Sequence, residues 1–256
     1  MKRVLTALVL IPLVLYVVLW GPRWLVYAVT SLVAFLCYYE YAGIAAAYGA
    51  GDPGPLGYAA GLAMLLAGAR DFPLLCAIFA MAALSLFLRQ PDLGKTLPRA
   101  ALLVTGVLYV FGCWKFALLL HAVSPYWLLY GLVLCWVGDA GGYYLGRRFG
   151  RHKLAPRISP AKSWEGAAAS AAASTLFGYF YLARFLPSVP PAAAILVSAA
   201  ANAAGQLGDL AESAIKRGAG LKDSGAILPG HGGFLDRVDS TLFVLPLVYL
   251  YLRLAV

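Results

Sequence analysis

Ala101-Leu-Leu-Val-Thr-Gly-Val-Leu-Tyr-Val-Phe-Gly-Cys-Trp-Lys115-Phe-Ala-Leu-Leu-Leu-His121 carries one formal charge, at Lys115, in 21 residues. A helix of about 20 mostly apolar residues spans the hydrocarbon core of a bilayer. It also satisfies its own backbone N–H and C=O groups, which lipid cannot do. Working outward, similar runs occupy residues 4–20, 24–48, 56–69, 72–88, 126–145, 164–186, 190–208 and 240–255. The breaks hold turn-forming residues: Gly51-Asp-Pro-Gly-Pro55, Asp71-Phe-Pro73, Gln90-Pro91, Ser124-Pro125, and Pro187 through Pro191. The expected fold is all-α, a polytopic transmembrane helix bundle of about nine spans.

Composition points the same way. Of 256 residues, 62% are hydrophobic and 12% charged, against roughly 45–50% and about 25% in soluble domains. A chain so poor in polar groups cannot cover its surface in water, which excludes an ordinary soluble domain. Lys2 and Arg3 precede the first apolar run, but no small-residue cleavage site follows it. Trp20-Gly-Pro-Arg23-Trp24 instead has the form of an interfacial turn, so no cleavable signal peptide is expected. Cys37, Cys76, Cys113 and Cys135 lie inside apolar runs without CxxC or Cys/His spacing, and read as small core residues.

Charge distribution supplies an orientation. With the N-terminus in the cytoplasm, fifteen of the twenty lysines and arginines fall on the cytoplasmic side, as the positive-inside rule requires. The C-terminus is then expected outside. Arg89, Lys95 and Arg99 need no role beyond fixing this topology. Two cytoplasmic segments, 146–163 and 209–239, are richer than orientation demands.

The first holds six cations and no acid between Arg147 and Lys162. Glycines at 138, 141, 142, 146 and 150 would allow close backbone approach, and cations at a membrane surface attract anionic headgroups. Ser159-Pro160 has the form of a helix N-cap followed by proline at the first helical position, where free N–H groups can meet an anion. This segment is expected to bind phosphate or phospholipid. Asp139, at the cytoplasmic end of a span, either pairs with a nearby arginine or serves the active site.

The second opens on a polar stripe. At 100° per residue, Ser198, Asn202, Gln206, Asp209, Ser213 and Lys216 fall within an arc of roughly 80°. Such a stripe must face protein or a wet cavity. Helix–helix hydrogen bonding alone would explain Asn202 and Gln206, but not the carboxylate, hydroxyl and ammonium that follow. Five acids (Asp209, Glu212, Asp223, Asp236, Asp239) and four cations (Lys216, Arg217, Lys222, Arg237) occupy 31 residues. Mixed signs suit nucleoside triphosphate chemistry: carboxylates hold Mg²⁺ and cations neutralise phosphate. The Gly230-His231-Gly232-Gly233 run could form an anion-binding nest. Asp236 and Asp239, three apart, either share this work or cap the following helix.

The stretch from Ser213 through Lys216-Arg217, Lys222-Asp223, Pro229-Gly-His231-Gly232-Gly233 and Asp236-Arg237-Val-Asp239 resembles the signature of the phosphatidate cytidylyltransferases, without departure over 27 positions. The loop from Asp139 through Ser159-Pro-Ala-Lys162-Ser163-Trp-Glu-Gly166 resembles the family's second shared block. The resemblance implies a homodimeric, all-helical membrane enzyme using CTP and Mg²⁺, with or without a second cation. The reaction so implied is conversion of phosphatidic acid to CDP-diacylglycerol. The expected location is the bacterial inner membrane, with the active site facing the cytoplasm and no nucleic-acid partner.

By the same resemblance, Asp209 and Asp236 are the metal ligands, with Asp239 a weaker candidate. Residues 101–256 form the catalytic region, and residues 1–100 are N-terminal spans of open role. The expected catalytic set is Asp209, Lys216, Arg217, Lys222, Asp223, His231, Asp236 and Arg237. Ser213, Lys162, Ser163, Ser159, Gly232, Gly233 and Asp139 are expected to bind substrate. His231 orients a phosphate, relays a proton, or is a structural loop residue. Rival readings are a CTP-dependent synthase of CDP-archaeol, a polyprenol kinase, and a transporter using Glu40, Lys115 and the polar stripe. Lys115 near the outer end of its span could equally snorkel, and no internal repeat of the transporter kind is present.

Overall fold

A computed structural model describes residues 2–49, 54–227 and 232–255, with side chains from residue 10 onward. The helices are α1 (Lys2–Trp20), α2 (Arg23–Ala47), α3 (Gly54–Leu66), α4 (Phe72–Leu86), α5 (Thr96–Val107), α6 (Cys113–Val123), α7 (Pro125–Phe149), α8 (Trp164–Phe185), α9 (Pro191–Gly218) and α10 (Asp239–Ala255). A π-helical turn, Leu108–Gly112, joins α5 to α6 in one continuous rod. Among the described residues there are thus nine helical rods, one for each expected apolar run.

Three of them, Arg23–Ala47, Leu93–Val123 and Pro125–Phe149, are long and apolar enough to cross a membrane, and three shorter apolar helices accompany them. Large apolar side chains such as Leu196, Leu207, Phe180 and Leu254 are exposed. An integral membrane protein has this exterior.

The fold is not wholly helical. The 146–163 segment contains an antiparallel hairpin, β1 (Lys153–Ala155) with β2 (Ser159–Ser163), pairing Lys153 with Ser163 and Ala155 with Ser159. Ser159-Pro160 is therefore strand and not the helix start expected from its sequence. Proline lacks an N–H but is tolerated in an edge strand, so the Ser-Pro signature suits both structures. The cap of α8 is Ser163, whose hydroxyl accepts from the Gly166 N–H at 3.2 Å.

The chain forms two compact units: residues 1–22, 116–214 and 238–256, and residues 23–115 and 215–237. In the first, α7 and α8 pack backbone to backbone. A Cβ at Gly141 would lie 2.8 Å from the Ala173 Cβ, and one at Gly146 3.1 Å from the Gly166 Cα. These two glycines thus allow the close backbone approach expected of them, and what they approach is a neighbouring helix. Asn202 on α9 donates to Ser170 and Ser174 of α8 at 2.8 and 2.9 Å, and Gln206 donates to the Ala167 carbonyl at 3.1 Å. Helix–helix hydrogen bonding accounts for both amides.

In the second unit, Lys115 is buried, with Nζ donating to the carbonyls of Leu65 (3.2 Å) and Ala67. It caps the C-terminal end of α3, where unpaired carbonyls attract a cation; it does not snorkel outward.

Candidate active site

Each unit carries a lysine–aspartate node built from the sequence-predicted residues. In the first, α9 presents Asp209 and β2 presents Lys162, with Nζ to Oδ2 at 2.5 Å. Ser213, one turn beyond, donates to Asp209 Oδ1 at 3.4 Å. The hairpin that delivers Lys162 is fixed to α8: the Glu165 carboxylate accepts from the His152 backbone N–H at 3.2 Å and meets His152 Nδ1 at 2.6 Å. Asp239 is buried at the start of α10, accepting from the Ser240 N–H at 2.6 Å. A Cβ at Gly208 would lie 2.8 Å from the Asp239 carbonyl, so the start of α10 packs beside the turn of α9 that carries Asp209. Asp139 lines a small crevice with Ser170, Asn202, Gln206 and Ser240. Ser163 is buried as a cap, while Arg147, Arg148, Arg151, Lys153 and Arg157 are exposed.

In the second unit, Asp236 sits in a 3₁₀ turn, Leu235–Arg237. Its Oδ1 accepts from Lys216 Nζ and from the Ser224 N–H at 3.1 Å. Its Oδ2 accepts from the same N–H at 3.1 Å and from the Gly233 N–H at 2.8 Å. Burial alone would push this carboxyl up, but the Lys216 hydrogen bond, the Gly233 N–H, the Lys216 charge and the Ser224 N–H outweigh it. They hold the group below its ordinary 3.8. Gly232, in the left-handed region at φ +78, lies against the carboxylates of Asp236 and Asp223. Lys222, Asp223, Arg217 and Arg237 are exposed, and Arg217 donates to the Leu221 carbonyl at 3.1 Å. His231 lies outside the described residues.

Of the run expected to form an anion nest, Gly230 and His231 lie outside the described residues, and the amides from Gly233 onward meet the protein's own acids. The Gly233 N–H goes to Asp236, and those of Phe234 and Leu235 go to Glu40 of α2 at 2.9 and 2.8 Å. The sequence gives no sign of these Glu40 contacts, because its partners lie 184 to 195 positions away, beyond any local pattern. The same unit holds a cleft of about 570 Å³ lined by Tyr39, Glu40, Tyr58 and Ser224 through Ile227.

The donor chemistry suits a hard cation. Among the described residues no group of three or more His, Cys, Asp or Glu side chains is arranged to hold a metal. Mg²⁺ typically needs only one or two carboxylates, taking its remaining ligands from phosphate and water. Asp209, engaged by one lysine and one long hydroxyl contact, has acceptor capacity left, whereas the four acceptor sites of Asp236 are occupied.

Apolar helices of this length and exterior, carrying clustered acids and cations, are those of an integral membrane protein. The chain belongs to the cytidylyltransferase family, whose model matches residues 1–255. It is similar to the phosphatidate cytidylyltransferase of Bacillus subtilis, 39% identical over 62% of this chain and 60% of that protein. The Haemophilus influenzae protein of the same name is 37% identical over 56% of this chain and 52% of its own length. That of Staphylococcus haemolyticus is 40% identical over 60% and 59%. The chain thus spans between about half and three fifths of the length of these relatives.

Proposed function

We propose that this chain transfers the cytidylyl group of CTP to phosphatidic acid, giving CDP-diacylglycerol and pyrophosphate. A phosphate oxygen of the lipid attacks the α-phosphorus; the bond to the β-phosphate bridging oxygen breaks, and pyrophosphate leaves with the electron pair. A phosphate monoester is anionic near neutral pH, so no strong general base is required. The task is positioning and charge neutralisation.

Asp209 and Asp236, with Asp239 as a further candidate, would hold Mg²⁺, with or without a second cation. A bound Mg²⁺ supplies charge neutralisation on the triphosphate and its departing pyrophosphate. Lys216, Arg217, Lys222 and Arg237 clamp phosphates, and Ser213, Lys162 and Ser163 seat a substrate phosphate. Were Asp236 to hold the cation, Lys216 would give up its place on that carboxylate and be left to pair with a phosphate oxygen. The proposed setting is a homodimer in the bacterial plasma membrane, with the N-terminus and active site cytoplasmic and the C-terminus outside.

The observation that carries this reading is the second node: the family signature folds onto one carboxylate, Asp236, held by Lys216, Ser224 and Gly233. The test is pyrophosphate release by detergent-purified protein given CTP, phosphatidate and Mg²⁺. Release should depend on both substrates and be lost in Asp209→Asn. Full release by that variant would refute the metal assignment.

A further inference from the structure

Glu40 belongs to α2, in the N-terminal part of the chain whose role the sequence leaves open. It is 3% exposed, and a buried carboxylate is costly unless hydrogen bonds satisfy it. Among the described residues, its donors come from the signature stretch. Oε1 accepts from the Phe234 N–H at 2.9 Å; Oε2 accepts from the Leu235 N–H at 2.8 Å and the Ser224 hydroxyl at 2.9 Å. Three consecutive amides, 233 to 235, are thus divided between Asp236 and Glu40. The approach is so close that a Cβ on Gly225 or Gly233 would come within 2.5 Å of a Glu40 oxygen. The Glu40 carboxylate leaves no room for a Cβ at Gly225, and at Gly233 the Ser224 hydroxyl and that carboxylate together leave none.

We infer that Glu40 is a positioning residue for the reaction, an anionic post from α2 that holds Ser224, Phe234 and Leu235 so that the adjoining Asp236 and its partner Lys216 are presented in working geometry. The inference rests on the proposed cytidylyl transfer and adds a residue to it. Its action is through backbone amides and not through substrate. It should therefore govern the nucleotide side of the reaction and leave lipid affinity alone. Glutamine is isosteric, but its NH₂ cannot accept a hydrogen bond. One of the two held edges of the loop then faces donor against donor.

The experiment compares wild type, Glu40→Gln and Glu40→Asp as purified full-length protein. Half-saturation for CTP at fixed Mg²⁺, half-saturation for phosphatidate in mixed micelles, and amide hydrogen exchange across 224–236 are measured. For Glu40→Gln, half-saturation for CTP should rise at least about tenfold, the value expected for losing one charge-assisted hydrogen bond. Half-saturation for phosphatidate should not change, and Phe234 and Leu235 should exchange faster. Glu40→Asp, which keeps the charge, should recover part of both effects.

A fall in maximal rate alone, with CTP half-saturation and exchange unchanged, would make Glu40 merely structural and overturn the inference. Wild-type behaviour would overturn it equally. If Glu40→Gln does not fold, Ser224→Ala removes one of the three bonds and must shift CTP half-saturation in the same direction; no shift overturns the inference. Wild-type protein that never consumes CTP would refute the cytidylyl-transfer reading instead, and the exchange measurement still decides whether Glu40 holds the loop.

Discussion

Replacing Asp236 by asparagine keeps the shape of the side chain and removes its charge and one of its two acceptor oxygens. The aspartate serves three donors: Lys216 Nζ, the Ser224 N–H and the Gly233 N–H. If the amide oxygen stays toward Lys216, the NH₂ confronts the Gly233 N–H. A hydrogen bond to a charged group contributes about 1.5–3 kcal/mol, so losing the Gly233 bond and weakening the other two costs about 3 kcal/mol locally. That is a factor of about 100 in the opening equilibrium of the loop. Amide exchange in detergent, normalised to intrinsic rates, reads this directly: Ser224 and Gly233 should lose about two orders of magnitude of protection, while the α7 and α8 amides keep theirs.

The pH dependence has a definite sign. The folded carboxyl sits below 3.8, so its contribution is complete above the ordinary carboxylate range and disappears as pH falls through the depressed value. Wild-type protection of the loop should therefore hold down to about pH 4 and fail below it, and the asparagine variant should show no such transition. Equal protection of Ser224 and Gly233 in both proteins at neutral pH would refute the reasoning.

Two further outcomes follow from the first unit. Lys162→Ala breaks a pair whose side chains are 25% and 34% exposed. Unfolding stability should thus fall by less than about 1 kcal/mol, while kcat/KM for CTP-dependent turnover falls at least about tenfold; unchanged kinetics would remove Lys162 from the site. Gly141→Val drives a branched side chain into Ala173 and should lower stability in detergent by about 1–3 kcal/mol. A variant as stable as wild type would show that α7 and α8 are not packed backbone to backbone.

The helices were legible because apolar runs and their proline and glycine breaks are local signals. Ser124-Pro125, for example, does start α7, with the Ser124 hydroxyl accepting from the Tyr126 N–H at 3.3 Å. The same dipeptide at Ser159-Pro160 misled, because an edge strand tolerates proline as readily as a helix start does. Lys162 and Asp209 stand out in the sequence as charged residues at the ends of apolar runs, but their pairing depends on a hairpin no periodicity announces. The glycines of α7 were visible as glycines, yet what they approach is α8, which only packing reveals. Glu40 was seen as a polar residue in a span. Its partners are backbone amides almost two hundred positions onward, and a backbone amide leaves no mark in a sequence.

The central claim is that the α-phosphorus of CTP becomes bonded to phosphatidate. Purified protein, phosphatidate and Mg²⁺ should be incubated in parallel with CTP labelled at the α- or at the γ-phosphate. The account predicts α-label in a CDP-lipid and γ-label in pyrophosphate, in equal amounts. Transfer of γ-label to lipid would identify a kinase, and label remaining in CTP under both conditions would contradict cytidylyl transfer altogether.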